Sequence, residues 1–326
     1  MGIAGGCALS CRFGTISKGE IAVENIVESC TLCPRHCGSY RGEREGRGFC
    51  RMGTWPVVAR AALHMWEEPC ISGTEGSGTI FFSGCSLGCV FCQNTCISTE
   101  HSIGEAISVQ RLHELMMELA QQGARNINLV TPTHFLPAVR EALEMGKPPV
   151  PVVYNCGGYE EVEALRTLEG LVDIYLPDMK YRDRELGQRL SGVPDYPEKA
   201  AAAIREMVRQ TGPARYFEDG MMKSGTMIRH LILPGHTKNS IAVLQWISDT
   251  FHTEIPVSLM AQYVPCGRAG EFPEINRRIT RREYEKVLDA LFRLDLDGYA
   301  QDLASAKKDF IPPFSVEEAR RIAKKG

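Results

Sequence analysis

Residues 78–94 read GTIFFSGCSLGCVFCQN. The run Thr79 to Ser83 is rich in β-branched and aromatic residues and lies between Gly78 and Gly84, so it predicts a buried strand. Beyond it the chain turns at glycine and sets Cys85, Cys89 and Cys92 on one loop, three and then two residues apart. A strand that opens directly into a reactive loop suits a parallel α/β sheet, whose sites lie at the carboxyl ends of the strands.

Working outward, similar runs occur at Ile127–Thr131, Val150–Tyr154, Val172–Leu176, Met227–Leu233 and Val257–Tyr263, with helical periodicity between them. Val109, Leu112, Leu115, Met116 and Leu119 recur at helical spacing behind the N-cap residue Ser108, and Gly123 supplies the stop. Thr280 and Glu283 form a capping box for a helix running to about Leu294. Six such units are too few for a closed eight-stranded barrel. They predict an α/β fold, a partial (β/α)6 TIM-like barrel, with a C-terminal helix closing it and a small Cys-rich metal-binding segment before it. The corresponding division is 1–60 for the N-terminal segment and 61–326 for the barrel and C-terminal helix.

Three thiolates can anchor three irons of a four-iron cube and leave the fourth iron open to an external molecule. An open position signals catalysis, by the logic that separates catalytic from structural zinc. Cys96 offers a plainer alternative, since a fourth thiol could complete a zinc or electron-transfer site. The spacing counts against it: zinc knuckles separate two close Cys pairs by a longer loop, and bacterial ferredoxins space their cysteines by two and two.

Later strand ends carry polar residues. Asn155 in VVYNCGGY can hydrogen-bond a ribose, and Gly157 and Gly158 let a ligand approach the backbone. Asp178 and Lys180 in YLPDMKY project to one side, and Arg229 in MIRHLILPG needs a carboxylate or a ligand among its apolar neighbours. Taken singly, these also read as a turn, a rim ion pair and an arginine seeking a partner.

The Cys85–Cys92 loop, with Phe91 before its last cysteine, resembles the signature of the radical S-adenosylmethionine (SAM) superfamily. The resemblance implies a [4Fe-4S] cluster on Cys85, Cys89 and Cys92 whose open iron chelates the methionine part of SAM. It also implies reductive cleavage of SAM and abstraction of a hydrogen atom from a substrate. Phe91 would lie near the adenine, though a Phe after a strand also serves as core packing. The three polar strand ends are similar to those of the pyruvate formate-lyase-activating enzyme and its relatives, which implies SAM contacts at Asn155, Asp178, Lys180 and Arg229. Where those enzymes carry a Gly-Gly-Glu-type turn, this chain reads NINLVTPTHF, leaving Thr131, Thr133 and His134 to hold the methionine amino group, with a structural role as the alternative for His134. Where the activases place a His after a Tyr, Val264 follows Tyr263.

Residues 25–320 most resemble a branch marked by the CxLCPRxC head, the HMWEEP segment and the INLVTPTHF strand. The implied activity is that of a radical SAM oxidoreductase of the glycyl-radical-enzyme-activating type. Its partners would be a glycyl-radical enzyme as substrate and a low-potential electron donor of the flavodoxin or ferredoxin type. Two alternatives stay open: radical modification of a small molecule or peptide, and a non-catalytic zinc or iron-sulfur adaptor.

The head, residues 30–53, reads CTLCPRHCGSYRGEREGRGFCRMG, with Leu32 and Met52 as its only large aliphatic side chains. Such a stretch cannot pack a core, so Cys30, Cys33, Cys37 and Cys50 are expected to hold a second iron-sulfur cluster or a zinc ion, which thiol count does not distinguish. Candidates for work on the substrate are His64, Glu67, Glu68 and Cys266, with Trp66 as a stacking face and Cys156 as a further thiol; the same residues also read as a solvated turn with a packing Trp and as small core cysteines. Cys7 and Cys11, in a Gly-rich lead-in, receive no role.

Thirteen cysteines in a chain of net charge -3 fit metal ligation in a reducing compartment better than a disulfide framework. That charge gives no field for nucleic acid or an anionic membrane. No apolar run reaches the length of a membrane span and no secretory leader is evident, so a cytoplasmic protein is expected.

Overall fold

The computed structural model describes residues 26–100, 103–305 and 312–324; Cys7 and Cys11 lie outside them. Its spine is a row of parallel strands: β2 (Ser77–Phe82), β3 (Ile127–Val130), β4 (Val152–Cys156), β5 (Ile174–Pro177), a fifth strand in two pieces, β6 (Met222–Thr226) and β7 (Ile228–Leu231), and β8 (Val257–Met260). In front of these, β1 (Val57–His64) runs antiparallel to β2, from His64 opposite Ser77 to Val58 opposite Phe82. At the far side β9 (Gly298–Ala300) adds a parallel strand to β8.

The fifth strand changes partner at Met227. Its first piece pairs with β5 through Ile174 and Tyr175, and its second pairs with β8, with Arg229 opposite Ser258. A single bridge between Asp178 and Arg229 carries the ladder across the break. The strands therefore curve as one wall, and the α/β fold with a partial (β/α)6 barrel expected from the sequence is observed.

Helices α1 (Val109–Gln121), α2 (Leu136–Glu144), α3 (Val162–Arg166), α4 (Arg184–Ser191), α5 (Tyr196–Thr211), α6 (Thr237–Phe251) and α7 (Arg281–Arg293) connect the strands. α1 buries the predicted stripe of Leu112, Leu115, Met116 and Leu119. The Ser108 side chain accepts the Arg111 N–H at its start, a cap worth about 1 kcal/mol. The Thr280–Glu283 capping box is formed at α7 in both directions. α8 (Val316–Lys324) lies back across β1, burying Ala319 and Ile322, and Glu318 pairs with Arg60 at 2.5 Å.

Two strand expectations need correction. Pro151 delays β4 to Val152, whose N–H is taken by Asp173, so Asn155 lies within the strand rather than after it. The run expected at Met227–Leu233 is only the second half of a strand that begins at Met222. β1 was not foreseen: its core Ala-Arg-Ala-Ala favours helix, and pairing along β2 overrides that preference. β1 also spans position 60, running from the end of the head into the sheet.

Inside the wall the layers are distinct. Cys70 and Ile71, on the single turn Pro69–Ser72, plug the lower end against Val153, Ile174, Leu176, Met222 and Met227. Alternation along each strand then places Asn155, Asp178 and Arg229 on the same inner face, above the plug.

Candidate functional site

Above the plug, at the carboxyl ends of the parallel strands, lies a cavity of about 240 Å³. Cys85, Cys89 and Cys92 line it together with Phe91, Asn155, Asp178, Lys180 and Arg229. The cysteine loop leaves β2 through Gly84, whose φ of +84° and crowding by Met52 and Cys50 of the head leave no room for a side chain.

Each of the three sulfurs has a polar partner. The Leu87 N–H donates to Cys85 Sγ at 3.3 Å, the Ser191 hydroxyl to Cys89 Sγ at 2.9 Å, and Ser98 Oγ lies 3.1 Å from Cys92 Sγ. Burial and the neighbouring thiols push the Cys85 thiol up, and burial with Cys89 lifts Cys92 to about 11. Thiols so placed need a cation before they can ionise together.

Among the described residues no three Cys, His, Asp or Glu side chains converge as the ligands of a single ion must. A four-iron cube takes one thiolate on each iron rather than all on one ion, and three hydrogen-bonded thiols on one cavity wall supply such ligands. Cys96, by contrast, packs against the buried cluster of Ala59, Phe81 and Ile97 and does not line the cavity.

Beneath the thiols is a compact charged layer. Arg229 gives each nitrogen to a different oxygen: Nε to Asp178 Oδ1 at 3.0 Å, NH2 to Asn155 Oδ1 at 2.6 Å and NH1 to Glu67 Oε2 at 3.3 Å. Lys180 Nζ donates to Asp178 Oδ2 at 2.5 Å. Burial would raise the Asp178 carboxyl, but Lys180 and Arg229 outweigh it and hold it below its ordinary value.

Glu67 joins this layer from the segment after β1. Its Oε1 accepts from Asn128 Nδ2 at 3.0 Å and from Asn155 Nδ2 at 3.3 Å. Burial pushes its carboxyl up to about 7; Arg229 opposes the rise, while Glu68 and Asp178 add to it. His64 and Trp66 also border the cavity, His64 edge-to-face with Phe81 and lowered by burial, while Trp66 is largely exposed. Cys266 does not line the cavity, whereas Cys156 does.

At the end of β3, Thr131 holds a φ of +59°. A β-branched residue in this region is strained by roughly 1–3 kcal/mol, and its N–H is fixed on the Asn155 carbonyl at 2.8 Å. Thr133 borders the cavity too, but its hydroxyl donates to buried Glu160 at 2.7 Å, which also accepts from the Tyr154 hydroxyl at 3.0 Å. Burial lifts Glu160 to about 7. His134 is a framework residue: Nε2 meets the Ser83 carbonyl at 2.7 Å.

The head forms a second, smaller cavity lined by all four of Cys30, Cys33, Cys37 and Cys50. Ser86, the residue after Cys85, is in its wall. Arg35 joins the two regions, donating Nε to the Ser86 carbonyl at 2.5 Å and NH2 to the Ser191 carbonyl at 3.3 Å, with its guanidinium 3.5 Å from the Phe49 ring centre.

Glu160, Asn128, Ser98 and Ser191 were not singled out from the sequence. A buried carboxylate or hydroxyl is invisible until the fold shows what lies opposite. The only signal was that Asn128 shares a face with Val130 on a strand already assigned.

No family model matches the chain. Among solved structures, it is similar to Streptococcus suis SuiB bound to S-adenosylmethionine, at 13% identity and a TM-score of 0.41 over 72% of this chain and 50% of that one. It is also similar to a domain of the pyruvate-formate lyase-activating enzyme from Bacteroides vulgatus, at 12% identity and 0.37 over 52% and 91%. A third likeness is to HydG, a maturase of the [FeFe]-hydrogenase, at 11% and 0.44 over 74% and 61%. The chain thus spans about half the length of SuiB. Among the described residues no helix is long and apolar enough to cross a membrane. In sequence, the uncharacterized protein MJ0674 of Methanocaldococcus jannaschii is 32% identical over 289 residues, 86% of this chain and 79% of the relative. The chain therefore belongs to the family of that archaeal protein.

Proposed function

We propose that the chain is a radical SAM enzyme, with a [4Fe-4S] cluster on Cys85, Cys89 and Cys92 and SAM in the cavity beside it. The observation that carries this reading is the meeting of three thiols and the polar ends of β4, β5 and β7 on one cavity wall. Bound there, the cluster would supply the electron that cleaves SAM to methionine and a 5′-deoxyadenosyl radical.

The residues of the chain position and balance charge. Asn155 faces the cavity with a donor and an acceptor suited to ribose hydroxyls, held in place by Arg229 and Glu67. Asp178 and Lys180 offer the carboxylate and ammonium that a zwitterionic methionine group requires. Thr131 presents its backbone and hydroxyl at the strand end where activating enzymes use a Gly-Gly-Glu turn. Phe91, buried at one side, offers an apolar wall to adenine.

The substrate we propose is a glycine of a partner polypeptide, with a flavodoxin- or ferredoxin-type protein as electron donor; the resemblance of Asn155, Asp178, Lys180 and Arg229 to the activating enzymes supports it. A second reading, modification of a small molecule or peptide, draws on Thr131 and Val264, where the chain departs from those enzymes. Anaerobic reconstitution with iron and sulfide, followed by assay of 5′-deoxyadenosine formation, tests the core reading, and loss of turnover in Cys85→Ala is expected. Absence of turnover in the reconstituted wild-type protein overturns it. Deuterium passing from a partner's glycine into 5′-deoxyadenosine supports the first substrate, and transfer only from a small molecule supports the second.

A further inference from the structure

The head cavity carries two observations that free thiols do not explain. Cys30, Cys33, Cys37 and Cys50 come from a segment with almost no apolar side chains of its own, yet all four line one small cavity. Arg41 is buried beside them, at 4% exposure. Its guanidinium donates to the carbonyls of Met52 at 3.2 Å, Gly53 at 2.5 Å and His134 at 2.5 Å, and NH1 lies 3.8 Å from Cys30 Sγ.

Among the described residues Arg41 has no carboxylate within ion-pair distance; carbonyl dipoles and the thiols are its company. A buried arginine needs negative charge nearby. Four thiolates on a divalent centre carry a net charge of about -2 and supply it.

We propose that the head holds a second four-iron cluster, a [4Fe-4S] centre ligated by Cys30, Cys33, Cys37 and Cys50, placed directly behind the cysteine loop of the barrel. Four thiols fit zinc as well as iron-sulfur. The choice of iron-sulfur rests on the radical SAM reading of the adjoining barrel loop, whose Ser86 shares the wall of the head cavity.

The placement has a structural consequence. Ser86 belongs both to the wall of the head cavity and to the barrel loop, and Phe49 packs against Gly88 of that loop. A rigid cluster in the head would therefore brace the Cys85–Cys92 loop from behind, through Arg35 and Phe49.

Iron, sulfide and zinc are to be counted in full-length protein purified and reconstituted anaerobically, with Mössbauer spectroscopy to assign cluster type. The wild-type chain is expected to bind about eight irons, two cubes' worth. The triple variant Cys85→Ala, Cys89→Ala, Cys92→Ala should retain about four, all in the head, and the double variant Cys30→Ser, Cys33→Ser should retain about four in the barrel. Finding about one zinc and no iron in the triple variant overturns the proposal, even where the double variant does not fold. The outcome also separates this inference from the radical SAM reading. A wild-type protein with four irons that only the triple variant loses removes the head cluster and leaves the barrel reading intact. Four irons that only the double variant loses do the reverse.

Discussion

The barrel loop hangs its three thiols on elements that would form without them: β2 is fully buried, Ser191 ends α4, and the loop closes over a wall of strands. The head has four thiols and little else, its buried apolar residues being Cys30 and Met52. Ordering a residue costs roughly 1–2 kcal/mol, and in the barrel the apolar layers offset that cost. In the head the only comparable source is whatever the cysteines bind. A cofactor bound in the barrel would be held by the fold, whereas a cofactor in the head would hold the fold. The same residue type would thus serve two physical ends, and the two regions should respond differently to loss of a ligand.

The largest difference is expected in turnover. Cys85→Ala should reduce SAM cleavage to background with little change in thermal stability, because the strand beneath the loop is unaffected. Cys33→Ala should do the opposite, lowering the unfolding midpoint while leaving part of the turnover. Chromatographic assay of 5′-deoxyadenosine alongside thermal unfolding measures both. Equal loss of turnover in the two variants would mean that the regions form one site, and the contrast drawn here would fail.

A second test addresses the head alone. Arg41→Met removes three hydrogen bonds to buried carbonyls and the charge beside Cys30, and should cost about 3 kcal/mol of stability. The loss should be as large in chelator-treated protein if the carbonyls are what matters, and smaller there if the bound centre is.

Much of this contrast could be read from the chain, for identifiable reasons. Five parallel strands beyond the first announced themselves as short apolar runs, and the cysteine spacings named both metal candidates. β1 was hidden because composition does not decide an alanine-rich run: Ala59, Ala61 and Ala62 favour helix, and only the partner strand makes them extended. The role of Glu67 was only half visible. HMWEEP suggested an acid near the substrate, but that its carboxylate meets Asn128, Asn155 and Arg229 depends on three strands far away in sequence. The left-handed backbone at Thr131 was not legible at all, since a β-branched residue is the last to be expected there. Sequence patterns report what an element buries; they do not report which side chains two distant elements bring face to face.

Returning to the barrel, Arg229→Lys should weaken both folding and SAM binding, by about 2 kcal/mol and about tenfold respectively. A lysine can serve one of the three oxygens that the guanidinium now holds. Isothermal titration with SAM and thermal unfolding measure the two effects; a variant with unchanged affinity would detach Arg229 from the ligand.

Glu67 gives a smaller effect with a definite sign. Its carboxyl, near 7 in the folded protein against an ordinary 4.5, binds a proton more tightly folded than unfolded. Its contribution to stability is therefore complete below about pH 4.5 and is lost as pH rises through about 7. Glu67→Gln cannot ionise, so its stability should fall less between pH 5 and pH 8 than that of the wild type, by about 1–2 kcal/mol. Equal loss of stability in the two proteins across that range would show that the Glu67 carboxyl is not raised in the folded state.

The smallest effect probes the contact between the two regions. A methyl group at Gly88 would stand 3.0 Å from the Phe49 ring, a tight contact that the half-exposed ring can relieve by shifting. Gly88→Ala should therefore cost less than about 1 kcal/mol in stability. In moving, however, the ring would leave the Arg35 guanidinium, which lies 3.5 Å from its centre and whose Nε is bonded to Ser86. If the head braces the loop, turnover should fall two- to threefold, about 0.5 kcal/mol in the barrier, although Gly88 is not placed as a ligand to iron or SAM. Shrinking the ring in the double variant Gly88→Ala, Phe49→Leu makes room for the methyl group and should restore part of that loss, giving a coupling energy of the same size in the double-mutant cycle. Strict additivity of the two substitutions would mean that head and loop touch without acting on one another.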